Sequence, residues 1–410
     1  MSNFNKNVYK LILGTSLAQA IPIVISPVLT RLYTPDEFGV FALYVSLSTI
    51  ISVIVTGRYE LAIILPRSDK DARNLLALAV GLSFFLSTFL YIIIYLFNNE
   101  ISLLLGNSDI QYWLYFLPLT VLFTGCYQSI YYWVNRQKQY GSLSVAKVVN
   151  TSSAGTTNLV AGFMGAGPSG LILGNVIGQL FALSFLSRDL FKGKTEYRDH
   201  LSFMRMSLLA RRYKDFPKFD ILASLMNALA HQTTIIFFGS FYSVALAGQY
   251  FLTQRVLGVP ITLVAASISD VFREEAARDF METGSAKVIF VRTFIKLILL
   301  SFLPAVTLLM YAQDLFVFAF GEDWRIAGEY AQVLSPMLFL KFVVSPLSFM
   351  FFIAGKQNFN LIGNSILLFA TFMSFYLTES IIDTITFLSC AYSVVYLLYL
   401  IVSARLAKVF

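Results

Sequence analysis

The stretch that decides the fold runs from Thr30 to Arg73 and reads TRLYTPDEFGVFALYVSLSTIISVIVTGRYELAIILPRSDKDAR. It begins with a charged turn, continues as an apolar run long enough to cross a membrane, and ends in a basic loop. Arg58 and Glu60 are set into the end of this run, where an ionised group beside hydrocarbon is costly unless it is paired or hydrated. The stretch predicts one face of a membrane cavity that handles an anionic substrate.

The composition places the whole chain in a bilayer. Of its 410 residues, 57% are hydrophobic and 13% are charged, against about 25% charged residues in a soluble domain. The polar residues 1–10 lead into an apolar run without a small-residue cleavage site, which indicates a first membrane helix rather than a removed signal peptide. Cys126 and Cys390 lie in apolar runs far apart in the sequence, so we expect neither a disulfide nor a metal site.

The apolar runs predict an all-α polytopic membrane protein with about 12 transmembrane helices. Each run meets the requirement of about 20 mostly apolar residues for a membrane span. The predicted spans are 11–30, 38–57, 73–97, 112–134, 143–164, 168–187, 216–239, 245–269, 286–312, 329–354, 358–378 and 382–404.

The basic residues predict the orientation. Alternate loops together with both termini hold 23 of the 30 Lys and Arg, whereas the other loops hold only Arg31 and Arg325. Because cytoplasmic loops carry the excess of Lys and Arg, both termini and the basic loops are predicted to be cytoplasmic. The longest loop, about 188–216, should lie on the membrane surface where it meets anionic lipid, and we expect no nucleic-acid partner.

Internal repeats divide the spans into two halves. The matching segments are Leu117-Pro118-Leu119 with Ser335-Pro336-Met337, Lys138-Gln139 with Lys356-Gln357, and Phe38-Gly39-Val40-Phe41 with Ala247-Gly248-Gln249-Tyr250. We predict an N-terminal six-helix bundle over 1–188, a basic cytoplasmic linker over 189–215 and a C-terminal six-helix bundle over 216–410. The two bundles should be pseudo-symmetric around a central cavity.

The sequence carries no catalytic constellation. It has no Walker A motif and no Gly-x-Ser-x-Gly motif, and its two His, His200 and His231, are not spaced as a metal-binding pair. We predict neither an enzyme nor a primary ATP-driven pump, and no cofactor or metal.

Cations in or beside the spans are the candidate binding residues. Arg58 either faces the cavity or snorkels to the interface and pairs with Glu60, and Arg31 is either a cavity residue or an ordinary interfacial cation. Arg255 and Lys341 lie about ten and twelve residues into their spans, where they line a cavity or form buried pairs. Few acids are present to neutralise these cations, and Arg grips phosphate oxygens in pairs. The excess indicates an anionic ligand.

Polar faces and prolines complete the candidate site. Sugar hydroxyls could be met by Gln19, Asn150, Thr157, His231 and Gln232, although hydrogen bonding between helices explains such residues equally well. Pro22 and Pro27 should kink the first helix and could form a gate. The Gly170, Gly174 and Gly178 stripe indicates close helix packing.

Two segments, LTRLYTPDEFGVFALY and TGRYELAIILPRSDKDA, are similar to Wzx-type polysaccharide flippases, which export O-antigen or capsule repeat units. These flippases belong to the multidrug/oligosaccharidyl-lipid/polysaccharide exporter superfamily. The resemblance is specific over residues 29–75. It implies twelve helices in two bundles around a cavity, in which Arg31 and Arg58 occupy places where relatives present cavity cations. It also implies movement of an undecaprenyl-diphosphate-linked oligosaccharide to the outer leaflet of a bacterial inner (plasma) membrane.

Rocking of the two halves would give alternating access, driven by the membrane potential or by coupling to H⁺ or Na⁺. The expected partners are the lipid-linked oligosaccharide and the bilayer, with a polysaccharide polymerase and a chain-length regulator as further candidates. Three alternatives stay open: a drug/cation antiporter of the same superfamily, a peptidoglycan-precursor flippase, and a non-transporting scaffold for polysaccharide assembly.

Overall fold

The computed structural model of the chain describes residues 3–191, 201–356 and 358–410, and most of these residues are helical. The helices of the first part are α1 (Asn3–Leu32), α2 (Pro35–Ser52), α3 (Tyr59–Ala62), α4 (Asp69–Leu104), α5 (Ile110–Leu114), α6 (Leu117–Arg136), α7 (Tyr140–Phe163), α8 (Pro168–Phe191), α9 (Phe203–Arg212) and α10 (Ile221–Phe237). Those of the second part are α11 (Val244–Pro260), α12 (Ala266–Thr283), α13 (Lys287–Phe320), α14 (Arg325–Leu347), α15 (Met350–Ile353), α16 (Asn358–Leu377) and α17 (Ile381–Leu406).

Each predicted span overlaps one of these helices, and the all-α polytopic architecture is confirmed. In the described ranges, nine helical segments are long and apolar enough to cross a membrane. The chain is therefore a multi-pass membrane protein. The count of twelve and the cytoplasmic placement of both termini stay predictions.

The chain forms two compact units, Met1–Gly248 and Gln249–Phe410. In the first unit α7 packs on α1 and α8, α4 packs on α6 and α9, and α2 packs on α6, α8 and α10. In the second unit α14 packs on α12, α13 and α17, and α16 packs on α17. The division into six-helix bundles about a linker over 189–215 stays a prediction, and residues 192–200 and Gln357 lie outside the described ranges.

Side-chain caps fix the starts of α2 and α4, which both begin within the stretch Thr30–Arg73. At α2 the Thr34 backbone N–H donates to Glu37 Oε2 at 2.8 Å, while the Glu37 N–H donates to Thr34 Oγ1 at 3.3 Å. This reciprocal pair satisfies two N–H groups that the first turn leaves without helical partners. At α4, Ser68 Oγ accepts from the Lys70 N–H at 3.2 Å.

The repeat motifs that open α2 and α11 touch each other. A methyl group at Gly39 would collide with the Val244 carbonyl, and one at Gly248 would collide with the Pro35 carbonyl and lie 2.7 Å from the Gly39 nitrogen. The two helix starts therefore cross backbone to backbone, which only glycine permits. The sequence similarity between the motifs reflects this shared steric requirement.

The predicted glycine stripe on α8 is confirmed as a packing surface. Methyl groups there would meet the Tyr33 hydroxyl and Ala161 at Gly170, the Asn158 side chain at Gly174, and the Asn150 carbonyl at Gly178. Tyr33 also donates a hydrogen bond from its hydroxyl to the Asn158 carbonyl at 2.7 Å. The absent side chains let α8 approach α7 closely.

We expect Gly39→Ala to lower the free energy of unfolding by about 1–3 kcal/mol, because the added methyl group overpacks a backbone crossing. Gly81→Ala in α4 is the matched control, since nothing lies within 4 Å of its added methyl group. Thermal unfolding in detergent, followed by size-exclusion chromatography, measures both variants. Equal melting temperatures for the two would contradict the crossing.

Candidate functional site

The site begins where α2 ends, with a backbone that reverses over two residues. Gly57 and Arg58 both have left-handed conformations, with φ values of 62° and 60°. Such a conformation is unfavourable for a residue with a side chain and persists only where the surroundings impose it. The Arg58 N–H donates to Thr56 Oγ1 at 3.3 Å, and α3 begins at Tyr59 immediately after the reversal.

The reversal presents the Arg58 side chain to two carboxylates. Arg58 Nε donates to Asp220 Oδ2 at 2.5 Å, and Arg58 Nη1 lies 3.4 Å from Glu60 Oε1. Asp220 ends the π-helical segment Phe216–Asp220 that precedes α10. The ion pair thus ties the end of α2 to the start of α10 across 162 residues of sequence.

Glu60 is the most buried member of the cluster. Its side chain is 1% exposed and accepts a hydrogen bond from the Thr56 hydroxyl. Burial raises the pKa of the Glu60 carboxyl, against the opposing effects of the Thr56 hydrogen bond and the Arg58 charge. Asp220 is 38% exposed, so it is the better hydrated of the two acids that share Arg58.

Arg136, at the end of α6, holds the loop that follows the cluster. Its Nη1 donates to the carbonyls of Ile63, Ile64 and Pro66 at 3.3, 3.1 and 2.7 Å, and its Nη2 lies 2.9 Å from Asp69 Oδ1. One guanidinium therefore satisfies three backbone carbonyls and the first residue of α4. The spread of its donors suits Arg and not Lys.

The predicted gate residues and Arg31 lie on α1. Arg31 is exposed in the last turn and donates from Nη1 to the Pro27 carbonyl at 2.5 Å. The Ser26 hydroxyl donates to the Pro22 carbonyl at 2.5 Å. Gln19 is half-buried on the same helix. The gating role of the two prolines stays a prediction.

The predicted sugar-binding residues are divided among helices. Gln232 Oε1 accepts from Ser46 Oγ at 3.0 Å, so this residue joins α10 to α2. Thr157 donates within its own helix to the Ser153 carbonyl at 2.9 Å. Asn150 is half-buried where α7 meets Gly178, and His231 is exposed. Of these residues, Gln232 makes the contact between helices that the alternative interpretation predicted.

In the second unit, Arg255 and Lys341 are both half-buried on helices that touch near their starts. Gln249 Oε1 accepts from the Ala327 N–H at 3.0 Å. Arg255 follows Gln249 by six residues and Lys341 follows Ala327 by fourteen, so at about 1.5 Å per residue their levels along the helices differ by about 12 Å. This helical rise places the two cations at different levels along their helices.

An apolar cavity of about 240 Å³ lies in the second unit and is lined by residues of α11, α13 and α14. Its wall includes the π-helical segment Ile261–Ala265 and Pro304 within α13. Ser301 and Ser335 also line it, but their hydroxyls donate to the Leu297 and Gln332 carbonyls of their own helices. The wall suits hydrocarbon better than sugar.

The family of the chain follows from comparison with known proteins. The model of the polysaccharide biosynthesis protein family matches residues 28–328, well over half of the chain. The chain belongs to this family. The matched region includes Arg31, Arg58 and Arg255 and ends before Lys341.

One curated relative is the teichuronic acid biosynthesis protein TuaB of Bacillus subtilis. It is 23% identical over 300 residues, which are 73% of this chain and 60% of the relative. The chain thus matches only part of that protein's length.

Solved structures with this fold include a lipid II flippase, MurJ, in an inward closed conformation. It is 14% identical with a TM-score of 0.76, and the match covers 96% of this chain and 87% of that one. An inward-facing multidrug resistance MATE family transporter of the MOP superfamily is also 14% identical, with a TM-score of 0.66 over 98% and 94% of the two chains. The family match confirms the resemblance to polysaccharide biosynthesis proteins that residues 29–75 carry, and these solved structures show the fold that the resemblance implied.

Two residues of the site were missed by the sequence interpretation. Neither Asp220 nor Arg136 was among its candidate binding residues. The sequence held one weak signal for Asp220. This acid follows Phe216-Pro217, where a helix start is expected. Nothing in the spacing connects the two segments.

We expect Arg136→Ala to destabilise the first unit by roughly 2–3 kcal/mol, because three backbone carbonyls lose a charged donor. Arg136→Lys should recover only part of this loss. Arg325→Ala is the control, since it breaks an exposed ion pair with Glu322 at 2.6 Å that involves no backbone carbonyl. Hydrogen exchange should rise over residues 63–69 in the Arg136 variants alone, and unchanged exchange there would disprove the clamp.

Proposed function

We propose that the protein is a flippase that moves undecaprenyl-diphosphate-linked oligosaccharide repeat units from the cytoplasmic to the outer leaflet for surface polysaccharide biosynthesis. The observation that carries the proposal is membership of a polysaccharide biosynthesis family by a chain with a membrane-transporter fold. No ATP-binding motif occurs in the sequence, so transport would be secondary.

The cations support an anionic cargo. A diphosphate that crosses hydrocarbon needs charge-assisted hydrogen bonds in place of water, and Arg supplies them in pairs. Arg58 in the first unit and Arg255 and Lys341 in the second are the proposed contacts, with Arg31 at the end of α1. Polar faces around Gln19, Asn150, Thr157 and His231 would receive the sugars while the polyprenyl tail stays in lipid.

The energetics favour outward movement of an anion. A membrane potential that is negative inside contributes about 2.3 kcal/mol per charge per 100 mV. The diphosphate could thus drive its own export, and exchange for H⁺ or Na⁺ would add to this. Alternating access by rocking of the two halves, with the two prolines of α1 as a gate, completes the proposed cycle.

The antiporter alternative has less support. A carrier of cationic drugs needs an acid within its helices to bind a cation, and α1 contains no Asp or Glu. A polysaccharide polymerase and a chain-length regulator are the expected partners of the flippase.

Deletion of the gene should abolish or shorten the surface polysaccharide, as seen by gel electrophoresis of cell-surface extracts. Plasmid-borne wild-type protein should restore it. Unchanged polysaccharide together with a new drug sensitivity would favour the antiporter and overturn the flippase.

Among variants in the deletion strain, Arg58→Ala and Arg255→Ala should abolish export while the protein still reaches the membrane. Arg→Lys at either position should retain part of it, because a point charge replaces a two-pronged donor. Arg292→Ala is the control, since Arg292 is an exposed cation on α13. Full export by the Ala variants would remove both arginines from the site.

A further inference from the structure

Arg58 has more partners than its charge can neutralise. Two carboxylates, Glu60 and Asp220, approach one guanidinium, so a fully ionised cluster carries one net negative charge. A diphosphate could reach this guanidinium only by replacing one of the acids. The two acids differ in how easily each could leave.

Glu60 is fixed in place. It lies two residues from Arg58 on the same reversed segment, is nearly fully buried, and accepts a hydrogen bond from Thr56. Its oxygen is 3.4 Å from Arg58 Nη1, so it orients the guanidinium from behind. A buried carboxylate of this kind has no hydrated position to move to.

Asp220 is free to leave. It lies on a different helical segment and its side chain is 38% exposed. A second partner is one turn away, because Ser224 Oγ already donates to Asp220 Oδ2 at 3.4 Å. A carboxylate released from Arg58 would keep this hydroxyl and gain water.

We propose that Asp220 competes with phosphate for Arg58. It pairs with the guanidinium in the empty protein, and a diphosphate head group displaces it. Its release breaks the ion pair between the segment that precedes α10 and the segment that follows α2, so ligand binding removes one of the contacts that hold these elements together. Glu60 stays in place throughout and positions the guanidinium.

The physical reason is the cost of an unpaired charge. An Arg beside hydrocarbon needs close counter-charge. Glu60 approaches Nη1 at 3.4 Å, and in the empty state Asp220 supplies the closer partner at Nε. A diphosphate that takes the place of Asp220 keeps Nε paired with an anion throughout. Selectivity follows as well, because a neutral lipid cannot displace Asp220 from Arg58.

Equilibrium binding of undecaprenyl diphosphate to the purified full-length protein in lipid nanodiscs tests this inference, with undecaprenol as the ligand that lacks phosphate. Asp220→Asn should bind the diphosphate roughly two- to fivefold more tightly, the range expected when a partly exposed ion pair is removed. Arg58→Ala should bind it weakly, and Arg58→Ala with Asp220→Asn should bind it no better than Arg58→Ala alone. Undecaprenol should bind all variants equally.

Asp69→Asn is the matched control. It removes one carboxylate from an ion pair with Arg136, so it changes the net charge equally and leaves Arg58 untouched. Its diphosphate affinity should equal that of the wild type. If Asp69→Asn and Asp220→Asn raised the diphosphate affinity equally, the effect would come from the change in net charge alone, and the inference would be overturned.

Exchanging the two charges tests whether Asp220 competes with phosphate for Arg58 or only stabilises the fold. Arg58→Asp with Asp220→Arg re-forms the ion pair, so it should recover the melting temperature lost in Arg58→Ala without recovering diphosphate binding.

The inference rests on the proposed function, and the outcomes distinguish the two. A wild type that does not bind undecaprenyl diphosphate overturns both. A wild type that binds it, together with unchanged or weaker binding by Asp220→Asn, overturns the proposed competition alone.

Discussion

A charge at the edge of hydrocarbon must be neutralised, and the first unit of this protein is built around that requirement at Arg58. The guanidinium lies in the turn that follows the apolar helix α2 and is only 21% exposed, so water cannot fully hydrate it. Its neutralisation fixes a left-handed backbone at Arg58, a buried acid at Glu60 and the position of the segment that ends at Asp220. The direction in which the chain leaves α2 and the place where α10 begins therefore depend on one ion-paired side chain.

Backbone carbonyls impose the same requirement a few residues later. The loop between α3 and α4 has no regular hydrogen bonding of its own, and an unsatisfied carbonyl in a dry place costs free energy comparable to a lost hydrogen bond. Arg136 supplies donors to three of these carbonyls and pairs with Asp69. The charged loop between α3 and α4 is thus an ordered part of the first unit.

Sequence patterns predicted the helices well because an apolar run of fixed length is a local property. They predicted Glu60 beside Arg58 for the same reason, since the two residues are neighbours. They could not predict Asp220, because an ion pair between residues 162 positions apart has no periodicity. Gln232 shows a different limit: a polar residue in a span can face a cavity or a helix, and only its partner, Ser46, distinguishes the two.

The repeated glycines show why sequence similarity was easier to find than its cause. Gly39 and Gly248 stand at matching places, which predicted equivalent helix starts. The structure adds that these starts touch, so each glycine is required by the backbone of the other segment. Gly39 and Gly248 are therefore constrained together, because a side chain at either position would push apart the same pair of helices.

A carrier must also release what it binds. One deep site with several unpaired cations would hold a diphosphate too tightly for turnover, whereas separated cations pass it between weaker contacts. In the second unit Arg255 and Lys341 lie at different levels along touching helices, and in the first unit Arg58 is already shared between two acids. Both arrangements lower the affinity of any single contact. In the proposed transport cycle, a ligand with at least two negative charges would bind moderately at each step, and rapid transport would depend on that moderation.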